Sequence, residues 1–84
     1  MEKSKMEILI HLYANYTTEK VMARHGLCND SDFSLGMICG ACIAYETSLS
    51  MIMTTEEYSS CISDVKDCVA KRLNLTIEEV EECL

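Results

Sequence analysis

The sequence has no proline, no tryptophan, one phenylalanine and only three glycines among its 84 residues. Because proline and glycine interrupt helices, their scarcity favours long and continuous ones. No run of alternating apolar and polar residues predicts a β-strand. No low-complexity segment divides the chain either, and its length suits one domain. We therefore expect residues 1–84 to form a single helical domain.

Basic residues are also scarce, with seven Lys and Arg against 14 Asp and Glu and a formal net charge of −7. Binding to nucleic-acid phosphates or to an anionic membrane surface requires clustered Lys and Arg. The longest uncharged stretch, from Phe33 to Tyr45, is shorter than the ~18 residues of a membrane span. The apolar segment near the N-terminus is too short and too interrupted for a signal peptide. We expect the protein to bind neither nucleic acid directly nor a membrane. We also expect a cytoplasmic location, which is the host cytoplasm if the chain is phage-encoded.

Helix signals are what the sequence has in abundance. Capping boxes, in which Ser or Thr precedes Glu by three residues, occur at Ser4, Thr54 and Thr76, and Gly26 is placed to end the first helix. These signals predict an all-α fold, a small antiparallel bundle of three main helices plus a short C-terminal helix. The predicted helices lie near residues 5–25, 31–53, 55–73 and 77–83.

The second predicted helix is apolar on two sides, and a helix of this kind is buried on two sides. We expect it either to be the central helix of the bundle or to join a dimer interface. One side carries a stripe at the spacing of helix bundles, formed by Leu35, Ile38, Cys42, Tyr45, Leu49 and Ile52. The other side carries small residues that let a second backbone approach closely, and we predict self-association through Gly36, Gly40, Ala44 and Thr47.

Six cysteines in a chain of this length call for an explanation. Cys39 and Cys42 have the Cys-x-x-Cys spacing of redox and metal sites, and Cys61 and Cys68 could join them from a facing helix. Zinc sites usually take such pairs from tight knuckle turns, which are absent here. The favoured interpretation is that cysteine acts as a small apolar residue at helix contacts. We expect no metal and no cofactor.

Catalytic motifs are missing as well. His11 and His25 are the only histidines, and neither has a Ser, Cys or carboxylate at a spacing that suggests a catalytic triad. His25 is placed near the C-terminus of the first helix, where a cation is favoured. No phosphate-binding loop or nucleotide fingerprint occurs. We expect a protein that is not an enzyme.

The negative charge is concentrated in residues 55–84, which hold eight acidic and three basic residues. The sequence therefore predicts a protein–protein interaction module that binds a basic protein surface and also forms a homodimer. In size and charge it resembles small acidic regulators of phages and mobile elements, including inhibitors of nucleic-acid-binding defence proteins. The predicted partner-binding acidic surface consists of Glu56, Glu57, Asp64, Glu78, Glu79, Glu81 and Glu82.

Two alternatives remain open at the level of sequence. The first is an oligomeric protein that binds a small ligand of nucleotide type, through Tyr13, Tyr16, Lys20 and Arg24 of the first helix. The second is a secreted helical protein stapled by disulfides, since the number of cysteines is even and three glycosylation-type triplets occur.

Overall fold

A computed structural model describes residues 3–26 and 32–84, and across those residues the chain forms four α-helices and no strand. The predicted all-α fold, with three long helices and a short C-terminal one, is confirmed. In chain order the helices are α1 (Lys3–Arg24), α2 (Asp32–Ile52), α3 (Thr55–Leu73) and α4 (Ile77–Glu82).

Side-chain caps fix where α3 and α4 begin. The Thr54 hydroxyl accepts a hydrogen bond from the backbone N–H of Glu57, whose carboxylate accepts one from the Thr54 N–H. Thr76 and Glu79 repeat this arrangement at α4. Both boxes satisfy backbone donors that helix geometry leaves unpaired. The predicted N-cap residue Ser4 lies within α1, which begins at Lys3.

Left-handed residues end two of the helices. Gly26, with φ of 79°, follows α1 as predicted, and Asn74, with φ of 55°, ends α3. The backbone N–H of Leu75 then donates to the carbonyl of Ala70, which closes a tight C-terminal turn. This turn lets α4 pack back against α3.

The central helix of the bundle is α1. It contacts both α2 and α3, whereas α2 and α3 barely touch each other. The prediction that α2 might be the central helix is therefore wrong. Tyr13 and Tyr16 of α1 meet α2, while Asn15 and Thr18 accept hydrogen bonds from Arg72 of α3. These polar side chains weaken the apolar pattern of α1, which is why its two packing sides are hard to see in the sequence.

The core is built from small and medium-sized side chains. Among the described residues, Leu49 is the largest fully buried side chain, and Thr17 is a buried polar one. The Thr17 hydroxyl lies near Tyr13 and Cys42, and no described residue meets the geometry of a hydrogen bond with it. The buried apolar residues are Tyr13, Ala14, Val21, Cys42, Leu49, Cys61, Val65, Val69, Ala70, Val80 and Cys83.

α2 differs from the other helices in its hydropathy. From Ser34 to Ile52 it is long and apolar enough to cross a membrane, by length and composition alone, with a mean hydropathy of 1.4. The core helix of a soluble domain can meet the same criterion when it is mostly buried, but only 11% of this window is buried. The uncharged stretch seen in the sequence stops at Tyr45, because Glu46 follows it. The apolar window continues past Glu46, its one charged residue, to Ile52.

Candidate functional site

The predicted acidic residues lie on two sides of α3. Glu56, Glu57 and Asp64 line a groove between α1 and α3, whereas Glu81 lines a separate depression with Lys66, between α3 and α4. The structure therefore divides the predicted acidic surface into two parts, with different neighbours in each.

The groove between α1 and α3 has an apolar floor and a charged rim. It has a volume of about 470 Å³. Helix periodicity places residues 57, 60, 61 and 64 on one face of α3, and the Thr54 cap fixes the turn from which Glu56 and Glu57 project. We call this site the acidic groove, and its lining residues are Ile10, Glu56, Glu57, Ser60, Cys61 and Asp64.

The carboxylates of the acidic groove differ in their hydrogen bonds within the chain. Hydrogen bonds from the Thr54 backbone and hydroxyl hold the pKa of Glu57 below its ordinary value, so this side chain stays anionic. Glu56 and Asp64 form no hydrogen bond or ion pair with another described residue. Burial, and secondarily the nearby Asp64 charge, raises the pKa of the Cys61 thiol. The groove therefore combines apolar contact area with uncompensated negative charge.

The acidic groove continues along α1. A second, smaller cleft of about 230 Å³ shares Ile10 and Asp64 with it and extends past Ala14 and Cys68 to Arg72. Glu56 and Arg72 are 16 residues apart on α3, which corresponds to about 24 Å along the helix axis. The combined cleft is thus acidic at one end and basic at the other.

On α4, two of the predicted carboxylates already have partners within the chain. Glu79 belongs to the capping box and lies 3.6 Å from His25 Nε2. Glu81 pairs with Lys66 at 3.8 Å. Glu78 and Glu82 are exposed. The acidic residues of α4 thus serve partly to start this short helix and to fasten it to the bundle.

The four residues predicted for self-association are all exposed, on the side of α2 that faces away from α1. Apart from chain neighbours and the adjacent backbone of α2 itself, no atom of the described residues lies within 4 Å of the position that a Cβ would take at Gly36 or Gly40. Three large apolar side chains flank them: Met37, Ile43 and Met51 are 62%, 60% and 79% exposed. We call this the α2 outer face, and it consists of Gly36, Met37, Gly40, Ile43, Ala44, Thr47 and Met51.

The residues predicted for small-ligand binding are mostly engaged within the fold. Tyr13 is buried and donates a 2.7 Å hydrogen bond to Glu46. Tyr16 stacks on Tyr45, with 5.7 Å between the ring centroids. Arg24 donates to the backbone carbonyls of Cys83 and Leu84, at 3.3 Å each. Together with Lys20, these residues are spread along α1 and do not surround one cavity.

The four cysteines considered for a metal site are divided between two helices, with Cys39 and Cys42 on α2 and Cys61 and Cys68 on α3. Within residues 3–26 and 32–84, no group of three or more His, Cys, Asp or Glu is placed to hold a metal ion. The five cysteines in this part of the chain, the fifth being Cys83, are free thiols. Cys28 lies outside the described residues.

Thiol alkylation should follow a defined order in the native protein. Burial raises the pKa of Cys42 and Cys61 above the ordinary value, and only the thiolate reacts. Cys39 and Cys68 are partly exposed, so we expect them to react with iodoacetamide at neutral pH well before Cys42 and Cys61. Peptide mass spectrometry over a time course measures this order. Rapid alkylation of Cys42 in the folded protein would contradict the described packing of α2 on α1.

One cluster of reactive side chains was missed by sequence reasoning. Cys83 Sγ lies 4.0 Å from His25 Nδ1, and His25 Nε2 lies 3.6 Å from Glu79 Oε2. The order thiol, imidazole, carboxylate is that of an activated cysteine, but both distances exceed the ~2.6–3.2 Å reach of a catalytic hydrogen bond. Cys83 is also buried. The cluster therefore joins the end of α1 to α4, and residues 58 positions apart give no spacing signal for it.

No protein-family model matches the sequence, and no curated protein or solved structure matches the chain, so its function has to be inferred from its own surfaces.

Proposed function

We propose that this protein is a non-enzymatic protein–protein interaction module that binds a basic segment of another protein in the acidic groove. The observation that carries this proposal is the pairing of Glu56 and Asp64, which have no partner within the described chain, with the apolar floor formed by Ile10 and Cys61. Uncompensated carboxylates beside apolar area are complementary to a cationic, amphipathic partner.

Lysine and arginine side chains fit such a groove in two ways. Their aliphatic stems cover apolar surface while their charged heads remain near the solvent. In the acidic groove the stem would lie on Ile10 and Cys61, and the head would reach Glu56 or Asp64. Arginine suits the site best, because its planar guanidinium binds carboxylates through two parallel hydrogen bonds.

The extended shape of the combined cleft favours a helical partner. An amphipathic helix docks by laying its apolar face into a groove between two helices. The cleft that runs from Glu56 to Arg72 accommodates about four helical turns. A partner helix with basic residues at one end and an acidic residue at the other would match both ends of the cleft.

The same chemistry leads to a regulatory role. Basic protein segments are the surfaces that contact nucleic-acid phosphates, and a segment held in the acidic groove is no longer free to do so. We therefore place the protein among small acidic inhibitors or regulators of nucleic-acid-binding proteins, of the kind carried by phages and mobile elements.

Charge reversal in the groove tests this function. We expect Glu56→Lys combined with Asp64→Lys to weaken binding of a synthetic Leu- and Arg-containing amphipathic helix at least tenfold, about 1.4 kcal/mol or more. Both side chains are exposed, and Glu56 also lies in the first turn of α3, where a carboxylate is favoured. The free energy of unfolding should therefore change by no more than about 1 kcal/mol per substitution. Isothermal titration calorimetry at two salt concentrations gives the affinity and its electrostatic component.

The matched control carries the same change of charge on α4. Glu78→Lys with Glu82→Lys alters two exposed carboxylates outside the acidic groove and is expected to retain most of the binding. If both double variants lose affinity equally, binding follows the net charge of the protein and the groove is not the site. If neither loses affinity, the proposed role of Glu56 and Asp64 is wrong.

A further inference from the structure

The α2 outer face is apolar, exposed and free of charge along its whole length. It lies opposite the packed side of α2, which carries the buried Cys42 and Leu49. Glu46, the single charged residue from Ser34 to Ile52, is not part of it, because its carboxylate accepts the hydrogen bond from Tyr13 on α1. A helix that is apolar all round normally buries both sides, and here the fold buries one.

We propose that the α2 outer face binds the same face of a second copy, with the two helices antiparallel. When two copies of this face run in opposite directions, the large residues of one copy lie opposite the small residues of the other. Antiparallel pairing about the point between Ile43 and Ala44 places Gly40 opposite Thr47 and Gly36 opposite Met51. Met51, the most exposed large apolar side chain among the described residues, then meets the open space above Gly36.

A parallel pair would lack this fit. It would place Met51 against Met51 and glycine against glycine, which leaves bulk at one end of the contact and a gap at the other. The antiparallel pair repeats every contact about a two-fold axis, as symmetric dimers do. Among the described residues, no atom beyond the adjacent part of α2 lies within 4 Å of the Cβ position of Gly36 or Gly40. The helix of a second copy can therefore approach these glycines without displacing a side chain.

Charge favours a second copy as the occupant. The chain carries a net charge of −7, and two copies that met through α3 or α4 would oppose carboxylates such as Glu56, Glu78 and Glu82. The α2 outer face is an uncharged surface through which such acidic copies can associate without opposed carboxylates. A strongly charged partner would form no ion pair with this face, because the face carries no charged side chain.

The size of the face sets the strength of the dimer. From Gly36 to Met51 the helix extends about 22 Å, with a width of about 10 Å. As a flat footprint this is roughly 220 Å² per copy, or about 440 Å² in total, well below the ~1,200–2,000 Å² that stable interfaces bury. We therefore expect a reversible dimer whose population depends on protein concentration.

Two isoleucines with nearly equal exposure provide a matched test. Ile43 on the α2 outer face is 60% exposed, and Ile8 on α1 is 58% exposed. Sedimentation velocity over a range of concentrations should show a monomer–dimer equilibrium for the wild type and for Ile8→Asp. Ile43→Asp places two carboxylates near the two-fold axis and should weaken the dimer at least tenfold. A wild type that stays monomeric throughout, or equal effects of both variants, would overturn the proposal.

A swap of one large and one small residue tests the antiparallel arrangement. Gly36→Met fills the space opposite Met51 and should weaken the dimer, whereas Gly36→Met with Met51→Ala exchanges bulk and space and should restore it. Failure of rescue rejects the antiparallel pairing. Met51→Ala alone separates the two arrangements, because it removes the side chain that fills the space at Gly36 in an antiparallel dimer but relieves the opposed Met51 side chains of a parallel one. A dimer that Met51→Ala does not weaken would therefore also reject the antiparallel pairing.

A lipid bilayer is the alternative occupant, since α2 is apolar enough to enter one. Flotation with phosphatidylcholine vesicles distinguishes the two outcomes. Under the proposal, the wild type remains with the unbound protein at concentrations where it is dimeric. Flotation that Ile43→Asp abolishes and Ile8→Asp does not, in a protein that stays monomeric without lipid, would assign the face to the membrane and overturn the dimer.

Discussion

Replacing Leu49 with alanine should destabilise the protein by about 3 kcal/mol, within the ~2–5 kcal/mol typical of such core truncations. Leu49 is the largest fully buried side chain among the described residues and lies on the packed side of α2. Truncation of this side chain removes buried apolar area and leaves a cavity that the neighbouring helices fill only in part. Against a total stability of about 5–15 kcal/mol for a small domain, this is a large fraction. Urea unfolding followed by circular dichroism measures the change.

Ile43→Ala is the control for this experiment. It shortens an apolar side chain on the same helix, but one that is 60% exposed, so its cost should stay near or below about 0.5 kcal/mol. Both variants should be compared at low protein concentration, where dimer formation does not contribute. If Leu49→Ala costs no more than Ile43→Ala, α2 does not dock on α1 through the side described.

Tyr13→Phe is expected to cost about 2 kcal/mol, although it removes a single oxygen atom. The Tyr13 hydroxyl donates to Glu46 at 2.7 Å, in a half-buried place between α1 and α2. Hydrogen bonds to charged groups contribute roughly 1.5–3 kcal/mol, and the loss of the donor leaves a carboxylate partly desolvated and unpaired. Tyr16→Phe is the control, since the Tyr16 hydroxyl makes no hydrogen bond with a described residue and its ring still stacks on Tyr45.

The pH dependence of stability provides a second measurement on Tyr13. Burial first, and then the hydrogen bond to Glu46, raises the pKa of Tyr13 above its ordinary value of 10.0. The folded state therefore holds this proton more tightly than the unfolded state does, and its contribution is fully present below pH 10 and declines as the pH rises further. Burial raises the pKa of Cys42 and Cys61 in the same direction, from 9.0. We expect stability to fall in alkali, and to fall less steeply in Tyr13→Phe. An identical alkaline profile for both proteins would contradict this role of Tyr13.

The helices could be predicted from the sequence because their signals are local. The boxes at Thr54 and Thr76 and the glycine at position 26 each lie within a few residues of the boundary that they set. The predicted bounds of α3 agree with the structure at both ends. The predicted start at Ser4 differs from the structure, in which Ser4 already lies within α1, because a hydroxyl three residues before Glu also occurs within helices.

The arrangement of the helices depended on contacts that leave no local pattern. Tyr13 and Glu46 are 33 residues apart, and Arg72 reaches Asn15 across 57 residues. These polar contacts help to hold α1 between its neighbours, whereas the apolar character of α2 suggested a central place for that helix. Hydropathy correctly marked both sides of α2 as apolar, but it could not indicate which helix would cover each side.

The acidic groove was likewise predictable only where its signals are local in the sequence. Its carboxylates were identified from composition, and their grouping as one surface with those of α4 was an inference from proximity in sequence. Part of the floor of the groove comes from Ile10 on α1, more than 40 residues away, and only the packing of α1 on α3 brings it there. The cluster of His25, Glu79 and Cys83 escaped prediction for the same reason.

The central position of α1 has a consequence for valency. Because α2 and α3 pack on it separately, the acidic groove and the α2 outer face share no residue. A dimer joined through α2 would present two grooves in a fixed relation. A partner with two basic segments would then bind the second groove at an effective concentration in the millimolar range, gaining avidity without any new contact. The oligomeric state would thus set how strongly the protein discriminates between partners that offer one segment and partners that offer two.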